Sequence, residues 1–462
     1  MERRNQIRPH ATATTWPVRS IAQWALLVGM LAMLARAQES NVPELTLDEA
    51  LAQAVANNSS LRTADLEIQR AADDLAANRT RRFANTQIVA LGAQLLTKPS
   101  VTFPQGSLGV YGATGPIPAT DQTIHAARKP VGVVFGSVAQ PLSTQYRLHL
   151  QLKALSLGVE GTRQDREKTR LEVIDQVRRA YNEIAEAQSA LGSLQSSLPY
   201  YEESKRLAQA NRRRETILES DLLAIDAQLL KTQNAIRDAG DRVASAAEKL
   251  NDLMGRDIHT PFRISDINHA NTEFEAPEAL EARALANRPE LKKAKLEAQQ
   301  ADYDARAKKA EYIPDVSVAF TYFTAANFSN ALPSNIATAG LQLTWEPWDW
   351  GRKRREYAAK RVKEQQATVA ITQTERSVLL EVRNAWRQLE TAHRQLALSN
   401  AVELAARQKL KEVQEQVKRE AVLNKDLFQA QAELASADSQ QLQTLTEFWK
   451  ASADVKKAIG EQ

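Results

Sequence analysis

The sequence has no cysteine, only four methionines and only six histidines in 462 residues. The absence of cysteine excludes disulfides, thiolate metal sites and a lipid-modified cysteine. Met254 is the one methionine beyond the N-terminal segment, and no two histidines stand at a helical metal-ligand spacing. The sequence also lacks a phosphate-binding loop, a dinucleotide fingerprint and a nucleophile elbow. We therefore expect no cofactor, no metal site and no enzymatic activity.

Long apolar runs are also missing, apart from a short one near the N-terminus. Ile21 to Leu34 is apolar, four arginines precede it, and Ala35-Arg36-Ala37 follows. A membrane helix needs about 20 apolar residues, so this pattern favours a secretory signal over a transmembrane anchor. We predict that residues 1–37 are a signal peptide. No later run approaches the length of a membrane helix, so entry into a bilayer would have to use β-strands.

The basic charge of the chain belongs to the predicted signal. Residues 1–37 hold five Arg and one Glu, and without them 55 basic and 55 acidic residues remain. A neutral chain gives no support to nucleic-acid binding.

The sequence contains an internal duplication. Ala56–Leu61 recurs as Ala286–Leu291, and Glu215–Leu222 recurs as Glu420–Leu427. The offset falls from 230 to 205 residues between these pairs, which places an insertion in the first copy. We predict a first structural repeat over 38–255, a connector over 256–277 and a second repeat over 278–462. The connector is either an equatorial segment beside the helices or a plain loop between repeats.

Each repeat has the pattern helix, strand, loop, strand, long helix, second helix. Apolar residues spaced by three or four continue from Leu142 to about Arg214, and a helix of that length would reach roughly 110 Å. Globular domains rarely contain such helices, so the pattern indicates a coiled coil. The insertion, within about 97–129, is rich in Gly and Pro and is predicted to be a long irregular loop.

Four short segments are strand candidates. Val316, Val318 and Phe320 alternate with Ser317 and Ala319, which is typical of a strand between lipid and a wet lumen. Since four strands cannot close a barrel, we expect the chain to oligomerise, with three copies giving a twelve-stranded transmembrane β-barrel. The alternation is poor in the first segment and does not show which face meets lipid. The candidates are residues 85–96, 131–140, 315–324 and 336–346.

Three motifs give the sequence its resemblance to a known family. They are Leu45–Leu51 leading to Asn57-Asn58, Asn287–Leu291 at the start of the second repeat, and Glu346–Arg352 after the last strand. In order and spacing they resemble the TolC-type outer-membrane efflux proteins. The resemblance implies a mainly α fold with a small membrane β part, in which duplicated long-helix repeats form a trimeric α-barrel. It also implies a homotrimer in the outer membrane of a Gram-negative cell, with a large periplasmic part.

The resemblance implies an exit duct for small molecules that works with a periplasmic adaptor and an inner-membrane transporter. A type I protein secretion duct fits the same residues. A periplasmic coiled-coil scaffold without a pore is the alternative from a different class, but it would not need two duplicated pairs of amphipathic strands.

The resemblance also points to the helix-hairpin tips as the periplasmic gate. Asp221 and Asp426 match the family position at which aspartates form an acidic ring, although stabilisation of a helix N-terminus explains an acid there equally well. Basic residues at the same tips are candidate contacts for the adaptor, and a solvated helix end is the alternative. They are Arg213, Arg214, Lys418 and Arg419.

Three tryptophans follow the last strand candidate. Trp345, Trp348 and Trp350 surround Glu346-Pro347, where the chain passes from strand to long helix. Indole rings favour the membrane interface, so we interpret them as part of an aromatic belt against outer-membrane lipid. An ordinary aromatic packing cluster is the alternative.

Overall fold

The structure, a computed structural model, describes residues 43–94, 96–97, 100–125, 130–214, 217–265, 275–326, 335–419 and 424–461. The predicted signal peptide and part of the connector lie outside these ranges. The described residues form two compact units, one within Met1–Gln53 and Ala180–Ala270 and the other within Ala54–Arg179 and Asn271–Gln462.

The described elements are helices, strands and one 3-10 turn. The first repeat and the connector contain β1 (Glu44–Leu45), α1 (Leu47–Asn57), α2 (Ser59–Thr80), β2 (Asn85–Gln94), β3 (Ser100–Phe103), β4 (Val110–Tyr111), β5 (Gly115–Pro116), β6 (Gln122–His125), β7 (Pro130–Pro141), α3 (Thr144–Arg213), α4 (Glu219–Leu253) and β8 (Arg263–Ile264). The second repeat contains α5 (Pro277–Asn287), α6 (Pro289–Lys309), a 3-10 turn (Ala310–Tyr312), β9 (Asp315–Ala326), β10 (Asn335–Thr344), α7 (Arg352–Lys418) and α8 (Asn424–Ala458).

The first two helices of each repeat are broken at the same place. Asn58 separates α1 from α2 with φ −61° and ψ 132°, and Arg288 separates α5 from α6 with φ −59° and ψ 122°. The Asn58 side chain caps α2 by accepting a hydrogen bond from the Ser60 N–H at 2.9 Å, whereas Pro289 starts α6 with its φ already fixed. Different residues therefore produce the same break in the two copies.

The long helices α3 and α7 contain 70 and 67 residues, which corresponds to about 105 Å and 100 Å. They precede the 35-residue helices α4 and α8, respectively. No described helix is long and apolar enough to cross a membrane. In the second repeat, one core cluster joins three helices: Leu280 and Ala284 of α5, Val378, Val382, Ala385, Leu389 and Ala392 of α7, and Phe448, Ala451, Val455 and Ala458 of α8.

The four predicted strands form one antiparallel sheet in the order β10-β9-β7-β2. The register places Val138 opposite Phe320 and Thr86 opposite Val138. Because side chains alternate along a strand, Ile88 and Ala90 share the face of Val138 and Phe320. The pairing therefore assigns β2 a face that its own sequence left open. Within the described chain, β2 and β10 each have one neighbour and leave the outer edge of the sheet unpaired.

The prediction of an irregular loop for the insertion was wrong. Strands β3 and β6 pair from Ser100–His125 to Phe103–Gln122, and β4 pairs with β5 between them. The cross-strand contact between the Thr102 and Thr123 hydroxyls spans 2.9 Å. The many Gly and Pro residues of the insertion led to the prediction of a loop. Two short segments in the insertion are nevertheless rich in β-branched side chains, and they pair with each other across the turns.

Candidate channel gate and membrane interface

The first hairpin tip lies between α3 and α4. Arg212 Nε donates to Glu219 Oε2 at 2.8 Å across the turn, and Arg213 and Arg214 are exposed. Helix α4 begins after Leu218, which has no capping hydrogen bond from its side chain. The exposed Asp221 lies in the first turn of α4, where its negative charge interacts favourably with the positive N-terminal end of the helix dipole. The helix-stabilising role predicted as an alternative therefore fits this position.

The second tip lies between α7 and α8. Asp426 is exposed in the first turn of α8, as Asp221 is in α4. Arg419 ends α7 and is exposed, while the side chain of Lys418, the last helical residue, lies outside the described part. The two aspartates belong to different compact units.

The tryptophan turn links β10 to α7 and is held by one carboxylate. Asp349 accepts hydrogen bonds from the N–H groups of Gly351 and Lys353, each at 3.0 Å. These bonds, with that of Lys353 the stronger, hold the pKa of Asp349 below its ordinary value. Trp350 adopts a left-handed φ of 55°, which is strained for a bulky residue.

This strained turn presents its aromatic rings outward. Trp348 and Trp350 meet edge to face with centroids 5.9 Å apart, and Trp350 is 90% exposed. Trp345 is also exposed. An internal packing cluster would bury these rings, whereas all three are exposed in this chain.

All four strand–helix junctions lie at one end of the sheet, because Asn85 pairs with Ala139, Pro141 with Ser317, and Thr344 with Asp315. Side chains tie these junctions together. The Gln140 and Gln145 amides donate to the Arg82 carbonyl at 2.9 Å and 2.8 Å. Arg147 pairs with Asp315 at 3.4 Å, and Lys308 pairs with Glu356 at 2.7 Å. These hydrogen bonds and ion pairs connect the four junctions, and this helix-proximal end of the sheet is called the platform below.

Sequence reasoning missed a buried ion network between the first repeat and the last helix. The Asp175 side chain on α3 is 7% exposed and accepts hydrogen bonds from Arg179 Nε and Lys457 Nζ, both at 3.0 Å. Arg179 also pairs with Asp454. Burial raises the pKa of Asp454, and the nearby Asp175 adds to this effect. The available signal was an acid among apolar positions, since Asp175 stands between the buried Ile174 and Val177.

No group of histidine and acidic side chains in the described ranges could hold a metal ion. Arg179 and Asp454 of the network border an open groove of about 580 Å³ that continues along α7 to Thr391 and Gln395.

Comparison with known proteins identifies the second repeat. Residues 280–461 match the family model described as outer membrane efflux protein. This part of the chain is similar to the outer membrane efflux protein family. The matched residues include α7, α8, the tryptophan turn and Asp426, and they lie within the predicted second repeat, 278–462. The predicted resemblance is confirmed.

Solved structures match this chain over nearly its whole length. The outer membrane channel CmeC of Campylobacter jejuni has 16% identity and a TM-score of 0.73, with 90% of this chain and 85% of that chain covered. The open state of the MtrE outer membrane channel of Neisseria gonorrhoeae has 18% identity and a TM-score of 0.70, with 90% and 89% covered. A membrane protein from Pseudomonas aeruginosa has 17% identity, a TM-score of 0.73 and 91% of each chain covered. No curated protein sequence matches. The predicted fold class is confirmed.

Proposed function

We propose that three copies of this outer-membrane efflux protein form one exit duct, which receives small molecules from an inner-membrane transporter through a periplasmic adaptor. The proposal includes no catalytic step. The observation that carries it is the attachment of two helices of about 100 Å to one end of a four-stranded sheet. A protein that must cross both a membrane and a wide aqueous space needs these two parts in series.

The exposed face of the sheet supports a position in lipid. Val318, Phe320, Leu341 and Leu343 share one face by register, and all four are exposed. In the half of the sheet nearer the strand–helix junctions, the opposite face contains Thr321, whose hydroxyl contacts that of Thr338, together with Ser317 and Gln342. Further along the strands, Phe135 and Phe323 lie on this same face. An apolar outer face and a polar inner face are what a channel wall requires.

The unpaired edges of the sheet support assembly of three copies. Two copies would supply eight strands, and a barrel of eight strands has an interior filled by side chains. Three copies supply twelve strands, which leaves a lumen. Pairing β10 of one copy with β2 of the next would satisfy the backbone groups of both edges.

The native mass of the mature protein, extracted with detergent from isolated outer membranes, tests this proposal. A trimer is expected. A monomer, or protein recovered only from the soluble periplasm, would contradict the duct and favour the coiled-coil scaffold. Export assays with drugs and with a secreted polypeptide would then separate an efflux duct from a type I secretion duct.

We expect Asp221→Asn and Asp426→Asn to weaken cation preference. In a trimer each position places three carboxylates at a narrow entrance, where they concentrate cations. The ratio of cation to anion permeability should fall in each variant, and on the order of tenfold in the double variant. Planar-bilayer conductance measures this ratio.

Asp241→Asn, on the exposed surface of α4 away from the tip, is the matched control and should leave selectivity unchanged. Unchanged selectivity in the double variant, with a lower thermal midpoint, would instead assign both aspartates to stabilisation of the helix ends.

The basic residues at the tips are proposed contacts for the adaptor. Arg213, Arg214 and Arg419 are exposed at the turns, so their charge is available to a protein that approaches the hairpin ends. Arg212 is less available because it pairs with Glu219.

A further inference from the structure

The platform at the helix-proximal end of the sheet carries two layers of exposed side chains. The first layer, the apolar girdle, lies at the four strand–helix junctions and consists of exposed apolar and aromatic residues. Its members are Phe83, Leu142, Tyr146, Tyr312, Ile313, Trp345, Trp348 and Trp350. Large apolar side chains that are exposed together at one end of the sheet indicate a surface that another molecule covers.

The second layer, the basic collar, adjoins the girdle on its helical side. It consists of Arg81, Arg82, Lys309, Arg354 and Arg355, all exposed. Arg82 is next to Phe83, Lys309 is three residues before Tyr312, and Arg354 is four residues after Trp350. Each of these three cations is thus within four residues of a girdle member along the chain.

Carboxylates at this end are already paired with other cations. Asp315 pairs with Arg147, and Glu311 pairs with Lys308 at 2.7 Å. Glu346 pairs with Arg352 at 2.6 Å. Among the described residues, no carboxylate lies within ion-pair distance of a collar side chain. Within the described part of the chain, the positive charge of the collar is therefore not neutralised by an ion pair.

Charge complementarity defines the occupant. Indole and phenol rings settle at the headgroup level of a bilayer, so cations one turn further along the helices lie at the depth of the lipid phosphates. The side chains of Arg354 and Arg355 leave α7 about 100° apart, and both are exposed. The helix therefore presents positive charge over a wide arc of its surface. Anionic headgroups attract such juxtamembrane cations, whereas zwitterionic headgroups offer no net charge.

We propose that the basic collar binds anionic phospholipid headgroups, such as phosphatidylglycerol, in the periplasmic leaflet of the outer membrane. The inference rests on the proposed function, because it requires the sheet to lie in that membrane. The girdle sets the depth of the protein, and the collar selects the lipids around it.

The test uses the trimer from outer membranes, reconstituted into phosphatidylethanolamine vesicles that contain phosphatidylglycerol. Bromine is placed on the acyl chains of one lipid or the other, and quenching of tryptophan fluorescence reports which lipid contacts the girdle. We expect a preference for phosphatidylglycerol of at least about fivefold, the contribution of one collar cation. High salt should weaken it.

The collar variant Arg81→Gln/Arg82→Gln/Arg354→Gln/Arg355→Gln should bring the preference close to one. Its matched control removes four exposed cations elsewhere and should keep the preference: Arg237→Gln/Arg242→Gln/Lys292→Gln/Lys295→Gln. An unchanged preference in the collar variant, or an equal fall in both variants, would overturn the proposal. A monomer at the extraction step would overturn the proposed function and the collar with it, whereas a trimer without lipid preference would overturn the collar alone.

Discussion

Replacement of Phe320 by arginine is expected to abolish the trimer in outer membranes. Phe320 stands near the middle of β9, on the face that also presents Val318 and Leu341. A guanidinium facing lipid near the bilayer midplane costs about 2–4 kcal/mol, and a trimer would contain three of them. The total, roughly 6–12 kcal/mol, is comparable with the whole stability of a folded domain. The amount of trimer extracted from isolated outer membranes measures the effect.

Thr321→Arg is the matched control, because the neighbouring residue places the same side chain on the opposite face. It removes the hydroxyl contact with Thr338, worth about 1 kcal/mol, and should leave the trimer intact. Three cations in the lumen should also lower cation conductance in planar bilayers. A trimer that survives Phe320→Arg but not Thr321→Arg would show that the faces are assigned the wrong way round.

The sequence predicted the elements of the fold but not every orientation. The long helices were predictable because apolar residues recur every three or four positions without interruption, and β9 because Val316, Val318 and Phe320 alternate with smaller or polar residues. In β2 the pattern fails because Ala90 and Gly92 are too small to mark a face. The pairing register with β7, which joins residues far apart in the sequence, shows which side chains of β2 share a face.

The candidate site was predictable in the same uneven way. The tip aspartates and the three tryptophans could be found because they recur or cluster along the chain. The charged network could not, since Asp175 and Lys457 are 282 residues apart and neither belongs to a recognisable motif. Local patterns indicate which residues share an element, whereas a buried ion pair depends on where two elements meet.

Of the changes in the helical part, the double variant Arg179→Met/Lys457→Met is expected to destabilise the protein most. Asp175 is almost fully buried, and these two cationic side chains donate hydrogen bonds to its carboxylate and balance its charge. An uncompensated charge in such a place costs about 3–5 kcal/mol. The denaturant midpoint of the helical circular dichroism signal, measured on the solubilised protein at neutral pH, should fall accordingly.

Addition of Asp175→Leu to the double variant should restore most of this loss, because the triple variant contains no buried charge and replaces the network with apolar side chains. A triple variant that stays as unstable as the double variant would mean that lost packing of the long Arg179 and Lys457 side chains, rather than the charge of Asp175, causes the destabilisation.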